Sequence, residues 1–213
     1  IGTPVVQIQG VDELHGATHE VIPDRIEAGT FLVAGAIADS SIEIKRCRTI
    51  HLAAVIDKML QMGVHVETTP TSCRVTAPPE IRPSDITALQ YPGFPTDLQA
   101  QFTTLLSLTR GISLITDRIF PDRFMHIAEL GRMGARIRKE GGTAIIEGVR
   151  ELKGAQVMAS DLRASAALVL AGLCARGITE VQRVYHIDRG YEEIEKKFAA
   201  LGAQISRVDD KEA

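Results

Sequence analysis

The sequence lacks the features that mark several large classes of protein. Its longest apolar runs, such as Phe31 to Ala38, are far too short to cross a bilayer, so no membrane partner is expected. Cysteine is scarce: Cys47, Cys73 and Cys174 lie far apart with no CxxC spacing, which predicts free thiols in a reducing cytoplasm. No His sits at a suggestive distance from them, and His15 and His19 flank Gly16 in a predicted turn, so no metal site is expected. Neither charge dominates. Lys and Arg together number 24 against 27 Asp and Glu, a net charge of −3, which argues against nucleic acid as the main partner. Neither GxGxxG nor GxxxxGK[ST] occurs, so a dinucleotide fold and a P-loop are both unsupported and no cofactor is expected.

What is present is enough for a large buried core. Hydrophobic residues make up 45% and charged residues 24% of the 213 positions, the balance of a globular protein. That length is long for one ordinary domain and short for two. The chain opens on Ile1 rather than a methionine, just ahead of a predicted strand, so a piece of a longer protein is expected. Arginine outnumbers lysine 17 to 7, which suits oxyanion recognition but also follows from codon preference alone.

Internal repeats decide the expected fold. Gly10-Val-Asp-Glu-Leu-His-Gly-Ala17 and Gly148-Val-Arg-Glu-Leu-Lys-Gly-Ala155 share six of eight residues at an offset of 138. A helical pattern follows each, over Asp24 to Ala38 and Asp161 to Ala175, and a third runs from Asp97 to Arg110. A second helix in each unit closes on a glycine, at Gly63, Gly134 and Gly202, and an alternating strand follows. The chain therefore reads as α/β, with three βαβαββ-type units around a pseudo-threefold axis. The first helices carry little charge, as buried helices should. Their three N-termini, gathered at one end, would favour an anion there.

Each first helix opens on Asp: Asp24, Asp97 and Asp161. Capping of the first-turn N–H groups accounts for a carboxylate at that place as readily as function does. Arg25 and Arg163 are less ordinary, because a cation is disfavoured at the positive end of a helix, and residues that break a local rule tend to be functional. Tyr91-Pro-Gly-Phe-Pro-Thr-Asp97 holds a rigid turn directly ahead of a helix start. Ile119-Phe-Pro-Asp-Arg-Phe-Met-His126 carries aromatics that line a pocket if exposed and fill the core if not. Asp188-Arg-Gly-Tyr-Glu192 opens the last helix and brings Arg189 toward the same cleft.

These segments resemble the enolpyruvyl transferases. The matching stretches are Pro23 to Phe31, Pro92 to Phe102, Arg123 to His126, Arg132 to Ala135, Gly154 to Ser165 and Tyr185 to Tyr191, spread over nearly the whole chain. The resemblance is to the C-terminal half of such an enzyme. It implies one domain of a two-domain inside-out α/β barrel, with the active site in the cleft between the domains. It also implies transfer of enolpyruvate from phosphoenolpyruvate to the 3-hydroxyl of UDP-N-acetylglucosamine, the first committed step of peptidoglycan synthesis. By this resemblance Asp97 contacts that hydroxyl and is the candidate catalytic base. Ile119 meets the nucleotide sugar with Phe120 beside it. Asp161, Arg163 and Arg25 line the cleft, and Arg189 meets phosphoenolpyruvate. A helix N-terminus holds a carboxylate as its anion, so Asp97 is expected to orient the hydroxyl and take its proton late.

The family's reactive-cysteine loop belongs to the N-terminal half, which is the expected protein partner of this chain. None of its three cysteines inherits that role, so the chain alone is expected to be inactive. Residues 1–22 are expected to be strands that belong or bridge to the other domain, and residues 23–213 to form this one. Two alternatives stand beside this reading. One is the shikimate-pathway branch of the same fold, against which the Phe94 to Asp97 and Arg123 to His126 segments argue. The other is a non-catalytic module that binds only a nucleotide sugar or a partner.

Overall fold

Three helices with almost no charge cannot face water, and in the computed structural model, which describes residues 5–38 and 40–208, they pack on one another. The first unit runs α1 (Arg25–Ile37), β1 (Ser41–Lys45), α2 (Ala53–Gln61), β2 (His65–Thr68) and β3 (Ser72–Thr76). The second runs β4 (Ile86–Ala88), α3 (Gln99–Ser107), β5 (Ile112–Asp117), α4 (His126–Arg132), β6 (Arg136–Glu140) and β7 (Thr143–Glu147). The third runs β8 (Gln156–Met158), α5 (Leu162–Cys174), β9 (Glu180–Gln182) and α6 (Ile194–Ala200). The second unit is a complete βαβαββ. Helix α3 touches both α1 and α5, and all nine of its residues are buried.

Burying such helices strands polar side chains, and the sequence answers with hydroxyls that bond inside their own helix. Thr30 donates to the Ile26 carbonyl, Thr103 to Gln99, Ser107 to Thr103 and Thr109 to Leu105, at 2.7 to 3.0 Å. Ser165 donates to the Asp161 carbonyl in the same four-residue pattern. Each hydroxyl thereby avoids the cost of an unpaired polar group in the core. Thr104 instead crosses from α3 to the Ala167 carbonyl of α5 at 3.1 Å, one direct polar link between units.

The sheets repeat one plan to different degrees. The second-unit sheet has the order β4-β5-β7-β6, with β4 parallel to β5 and the other pairs antiparallel. The first-unit sheet, β1-β3-β2, matches the last three of these strands, and the third-unit sheet, β8-β9, matches the first two. By internal comparison, then, β1 has no parallel partner among the described residues, and β9 has no antiparallel one.

Two expected strand regions differ from this plan. Residues 5–22 form no strand and are exposed throughout, with Val6 and Ile8 each more than 80% accessible. The alternation of apolar residues there marks a segment suited to a sheet, but a strand exists only where a neighbour takes its N–H and C=O groups. Residues 203–208 likewise form no strand, although Ala203 and Ile205 pack against the core and Arg207 clasps Asp188 at 2.6 and 3.1 Å.

The glycine closing each second helix behaves identically in the three units. Gly63, Gly134 and Gly202 have φ of +85°, +94° and +97°. The residue after each donates its N–H back into the last turn at 3.0 Å: Val64 to Met59, Ala135 to Leu130, Ala203 to Phe198. This is the glycine-terminated Schellman geometry. The cysteines differ from their wide sequence spacing. Cys47 and Cys73 are buried with sulfurs 3.8 Å apart, and burial pushes the Cys73 thiol up to about 12.

Gly134 has open space where a Cβ would stand, so Gly134→Ala should cost only the left-handed backbone penalty, about 1 kcal/mol in urea denaturation. At Gly148 a Cβ would fall on the Thr109 carbonyl oxygen, so Gly148→Ala should cost roughly twice as much or more. Equal losses at the two positions would contradict this account of the second unit.

Candidate functional site

The three first helices begin differently, and the difference marks the site. Asp24 accepts the Ile26 N–H at 2.7 Å, and Asp161 accepts the N–H groups of Arg163 and Ala164 at 2.7 and 2.9 Å. Both are N-caps, as capping chemistry predicts. Asp97 is not. It lies inside a 3-10 turn, Thr96–Leu98, that runs into α3, and makes no capping bond. Its carboxylate instead takes Arg123 Nη1 on Oδ1 at 2.7 Å and Arg163 Nη2 on Oδ2 at 3.3 Å. Arg123 also lies 4.0 Å from Asp161. Two guanidinium groups thus bracket one partly exposed carboxylate at the helix starts of two different units, an arrangement suited to charge-assisted contacts.

The other expected site residues take up distinct places. Arg25, at the start of α1, lies over the Tyr91 ring with 5.1 Å to its centroid, directly ahead of the turn that carries Asp97. Phe120 is exposed and lies under Arg123 at 5.7 Å, while Ile119 is half-buried beside it. Arg189 is exposed at the end of a 3-10 turn, Val184–Arg189, and among the described residues no carboxylate lies in ion-pair range of Arg25 or Arg189. The structure therefore joins Asp97, Asp161 and Arg163 into one cluster with Arg123. Phe120 joins it through Arg123, with Ile119 the residue before it, whereas Arg25 contacts Tyr91; among the described residues Arg189 makes no hydrogen bond, ion pair or ring contact with the cluster.

The two singular segments hold their shape by specific bonds. In the first, Phe94 turns inward and meets Phe102 edge-on at 4.9 Å, while Leu89 N–H donates to the Phe94 carbonyl at 2.9 Å. Its Tyr91–Pro92 peptide is cis. In the second, Phe124 is buried whereas Phe120 and Met125 face out, so the aromatics divide between core and surface.

Sequence reasoning missed Asp117, which fastens these segments together. It is buried at the end of β5; Oδ1 accepts the N–H groups of Ile119 and Phe120 at 2.8 and 2.9 Å, and Oδ2 accepts the Thr96 hydroxyl at 2.5 Å. The local half of this was legible, since Asp readily accepts from N–H groups two and three residues on. The Thr96 half spans 21 positions and was not. Arg123 was visible only as part of a matching stretch, because nothing local pairs it with Asp97.

His126 sits behind the cluster, buried, with Nε2 unpartnered. Burial pushes its imidazole down to about 4; Arg123 acts in the same direction and Asp161 against it.

Fold and site together define a three-unit α/β domain with an arginine-bracketed aspartate where its central helices begin. The family described as EPSP synthase (3-phosphoshikimate 1-carboxyvinyltransferase) matches residues 2–198, and the chain belongs to this family of enolpyruvyl transferases. It is 54% identical to UDP-N-acetylglucosamine 1-carboxyvinyltransferase of Lawsonia intracellularis, over 98% of this chain and 50% of that protein. It is 50% identical to the protein of the same name from Koribacter versatilis, over 99% of this chain and 48% of that one. The chain spans about half the length of the curated relatives it matches. Among solved structures, the enolpyruvyl transferase NikO from Streptomyces tendae superposes with a TM-score of 0.80 at 29% identity, covering 87% of this chain and 44% of that one. EPSP synthase from Acinetobacter baumannii, at 22% identity and a TM-score of 0.58 over 76% of this chain and 40% of that one, shares the fold.

The state of His126 makes stability depend on pH. Between about 4 and 6.5 the unfolded imidazole binds a proton that the folded one refuses, so stability is full above 6.5 and falls as pH drops toward 4. The loss from this group should be on the order of 3 kcal/mol. Urea midpoints across that range should flatten in His126→Gln, and an unchanged slope would show that other groups carry the acid sensitivity.

Proposed function

We propose that the chain is the C-terminal half of a cytoplasmic enzyme that transfers enolpyruvate from phosphoenolpyruvate to the 3-hydroxyl of UDP-N-acetylglucosamine, releasing phosphate. This is the first committed step of peptidoglycan synthesis, and through it the enzyme serves cell-wall biogenesis, cell shape and division. The observation that carries the reading is Asp97, a helix-start aspartate released from capping and bracketed by Arg123 and Arg163. The sugar acceptor and the carboxyvinyl group follow from the name shared by relatives about half identical over nearly the whole chain, and phosphoenolpyruvate is the donor that the resemblance to the enolpyruvyl transferases implies.

In this reading Asp97 orients the sugar hydroxyl and takes its proton as the oxygen attacks, a role set by position more than by basicity. Arg25, Arg163 and Arg189 supply the positive field that two phosphate-bearing substrates need, with Arg189 directed at phosphoenolpyruvate. Asp161 fixes the start of α5 and, through it, Arg163. Ile119 and Phe120, held by Asp117, offer an apolar wall to the nucleotide sugar.

The N-terminal half supplies the second wall of the cleft and the reactive-cysteine loop. Burial supports leaving Cys73 and Cys174 out of that role: it raises them to about 12 and about 11, where a nucleophilic thiolate is scarce. Residues 1–22 lie with that other half or bridge to it, and residues 23–213 form this domain. Support comes from the exposed, strand-free segment over 5–22 and from the position beside β1 that β4 and β8 occupy in their own units.

In the complete enzyme, Asp97→Asn should lower kcat by at least about a hundredfold while changing UDP-sugar affinity by less than about threefold, because the amide keeps the shape but accepts no proton. Turnover within a few-fold of wild type would remove Asp97 from the chemistry. The isolated 213-residue chain should melt cooperatively yet release no phosphate from phosphoenolpyruvate, and should regain activity when the N-terminal half is added as a separate chain. Clear turnover by this chain alone would overturn the division of labour.

A further inference from the structure

The site is connected to the helix core through one buried hydroxyl. Tyr191 is about 1% exposed, and its Oη lies 2.8 Å from Thr30 Oγ1 of α1, 3.3 Å from Gln101 Nε2 of α3 and 3.5 Å from Arg163 Nη1 of α5. Each of the three central helices thus places one polar side chain on the same oxygen. The Arg163 guanidinium also lies 5.7 Å from the centre of the Tyr191 ring.

The directions of donation are determined. Thr30 Oγ1 spends its proton on the Ile26 carbonyl at 3.0 Å, so it accepts from Tyr191. Gln101 Nε2 has two protons and uses one on Thr30, at 3.1 Å, and the other on Tyr191. The guanidinium can only donate. Tyr191 therefore donates to Thr30 and accepts from Gln101 and Arg163. Burial, the largest influence on its phenol, acts against ionisation, which keeps that proton in place. Gln101 Oε1 is left unpartnered in the core, a cost that helix packing by itself does not require.

We propose that Tyr191 is a positioning residue for the transfer reaction: its hydroxyl, braced by Thr30 and Gln101, holds one arm of the Arg163 guanidinium so that the other arm meets Asp97. Arg163 Nη1 takes the tyrosine while Nη2 reaches Asp97 Oδ2 at 3.3 Å. The guanidinium is planar and rigid, so fixing one nitrogen fixes the other. The carboxylate is thereby referenced to the central helices instead of resting on its own turn alone. Small displacements of a catalytic group cost large factors in rate, which gives the arrangement its use.

The inference rests on the proposed transfer reaction, and its test is a double-mutant cycle in the complete enzyme. Tyr191→Phe should lower kcat about tenfold and leave both Michaelis constants within about twofold. Because the effect passes through Asp97, the same substitution made in an Asp97→Asn background should lower the residual kcat by less than about twofold. Thr30→Val, which removes the acceptor of the tyrosine proton but leaves the ring and Arg163 in place, should show a smaller loss with the same non-additivity. It also serves if Tyr191→Phe does not fold. Melting temperatures separate a general loosening, which would lower kcat equally in both backgrounds and overturn the positioning role. Wild-type kcat in both single variants would overturn it as well. A wild-type enzyme that forms no enolpyruvyl product would overturn the reaction itself, and this inference with it.

Discussion

Burying α1, α3 and α5 on all sides is the constraint from which the rest of the structure follows. Helices this poor in charge gain most by packing on each other, and in this packing the starts of α3 and α5 meet through Asp97 and Arg163. The packing also leaves the polar side chains along them to find partners without water, which Gln99 Nε2 and Gln101 Oε1 do not. Most do so within the helix, by bonding to a carbonyl four residues back. Thr104 to Ala167, the Thr30–Gln101–Tyr191 group, the Glu27–Lys197 pair and the Asp97–Arg163 pair all link the units by directional bonds in addition to apolar contact.

That same packing produces the site. Two of the three helix starts use their aspartate as a cap, which satisfies the orphan N–H groups and leaves the carboxylate committed. The third start is a 3-10 turn, and its aspartate stays available to Arg123 and Arg163. The asymmetry among three otherwise similar units is the feature on which the proposed reaction rests. It is maintained from two sides: Asp117 anchors the turn and the Ile119–Phe120 segment together, and Tyr191 anchors Arg163. A carboxylate held by arginines that are themselves held suits a reaction whose substrates are anionic and whose proton transfer depends on alignment.

The incomplete sheets follow equally from the repeat. Only the second unit contains all its strands, while the first lacks the leading strand and the third lacks the closing pair among the described residues. The central helices are nevertheless buried. Helix packing and strand completion are therefore separable here, and the exposed 5–22 segment is consistent with sheet partners outside this chain.

The repeat, the α/β class, the extent of the first helices and the glycine stops were all legible in the sequence. They depend on periods of two and 3.6 residues and on the left-handed backbone that glycine accepts, which are local properties. The candidate residues at the helix starts were legible too, because a cation such as Arg163 beside a helix N-terminus conflicts with local electrostatics. Which of Asp24, Asp97 and Asp161 cap their helices was not legible: all three stand at the same kind of position, and the 3-10 turn at Asp97, with Arg123 and Arg163 placed on its carboxylate from 26 and 66 residues away, exists only in three dimensions. Residues 5–22 form no strand in this chain for the opposite reason, since their pattern is local but the hydrogen-bond partners of a strand are not. The contacts of Asp117 with Thr96 and of Tyr191 with Thr30 and Gln101, and the proximity of Cys47 to Cys73, belong to the tertiary structure alone. Strand pairing brings Cys47 to Cys73 and Asp117 toward Thr96, and packing of the central helices brings Tyr191 to Thr30 and Gln101.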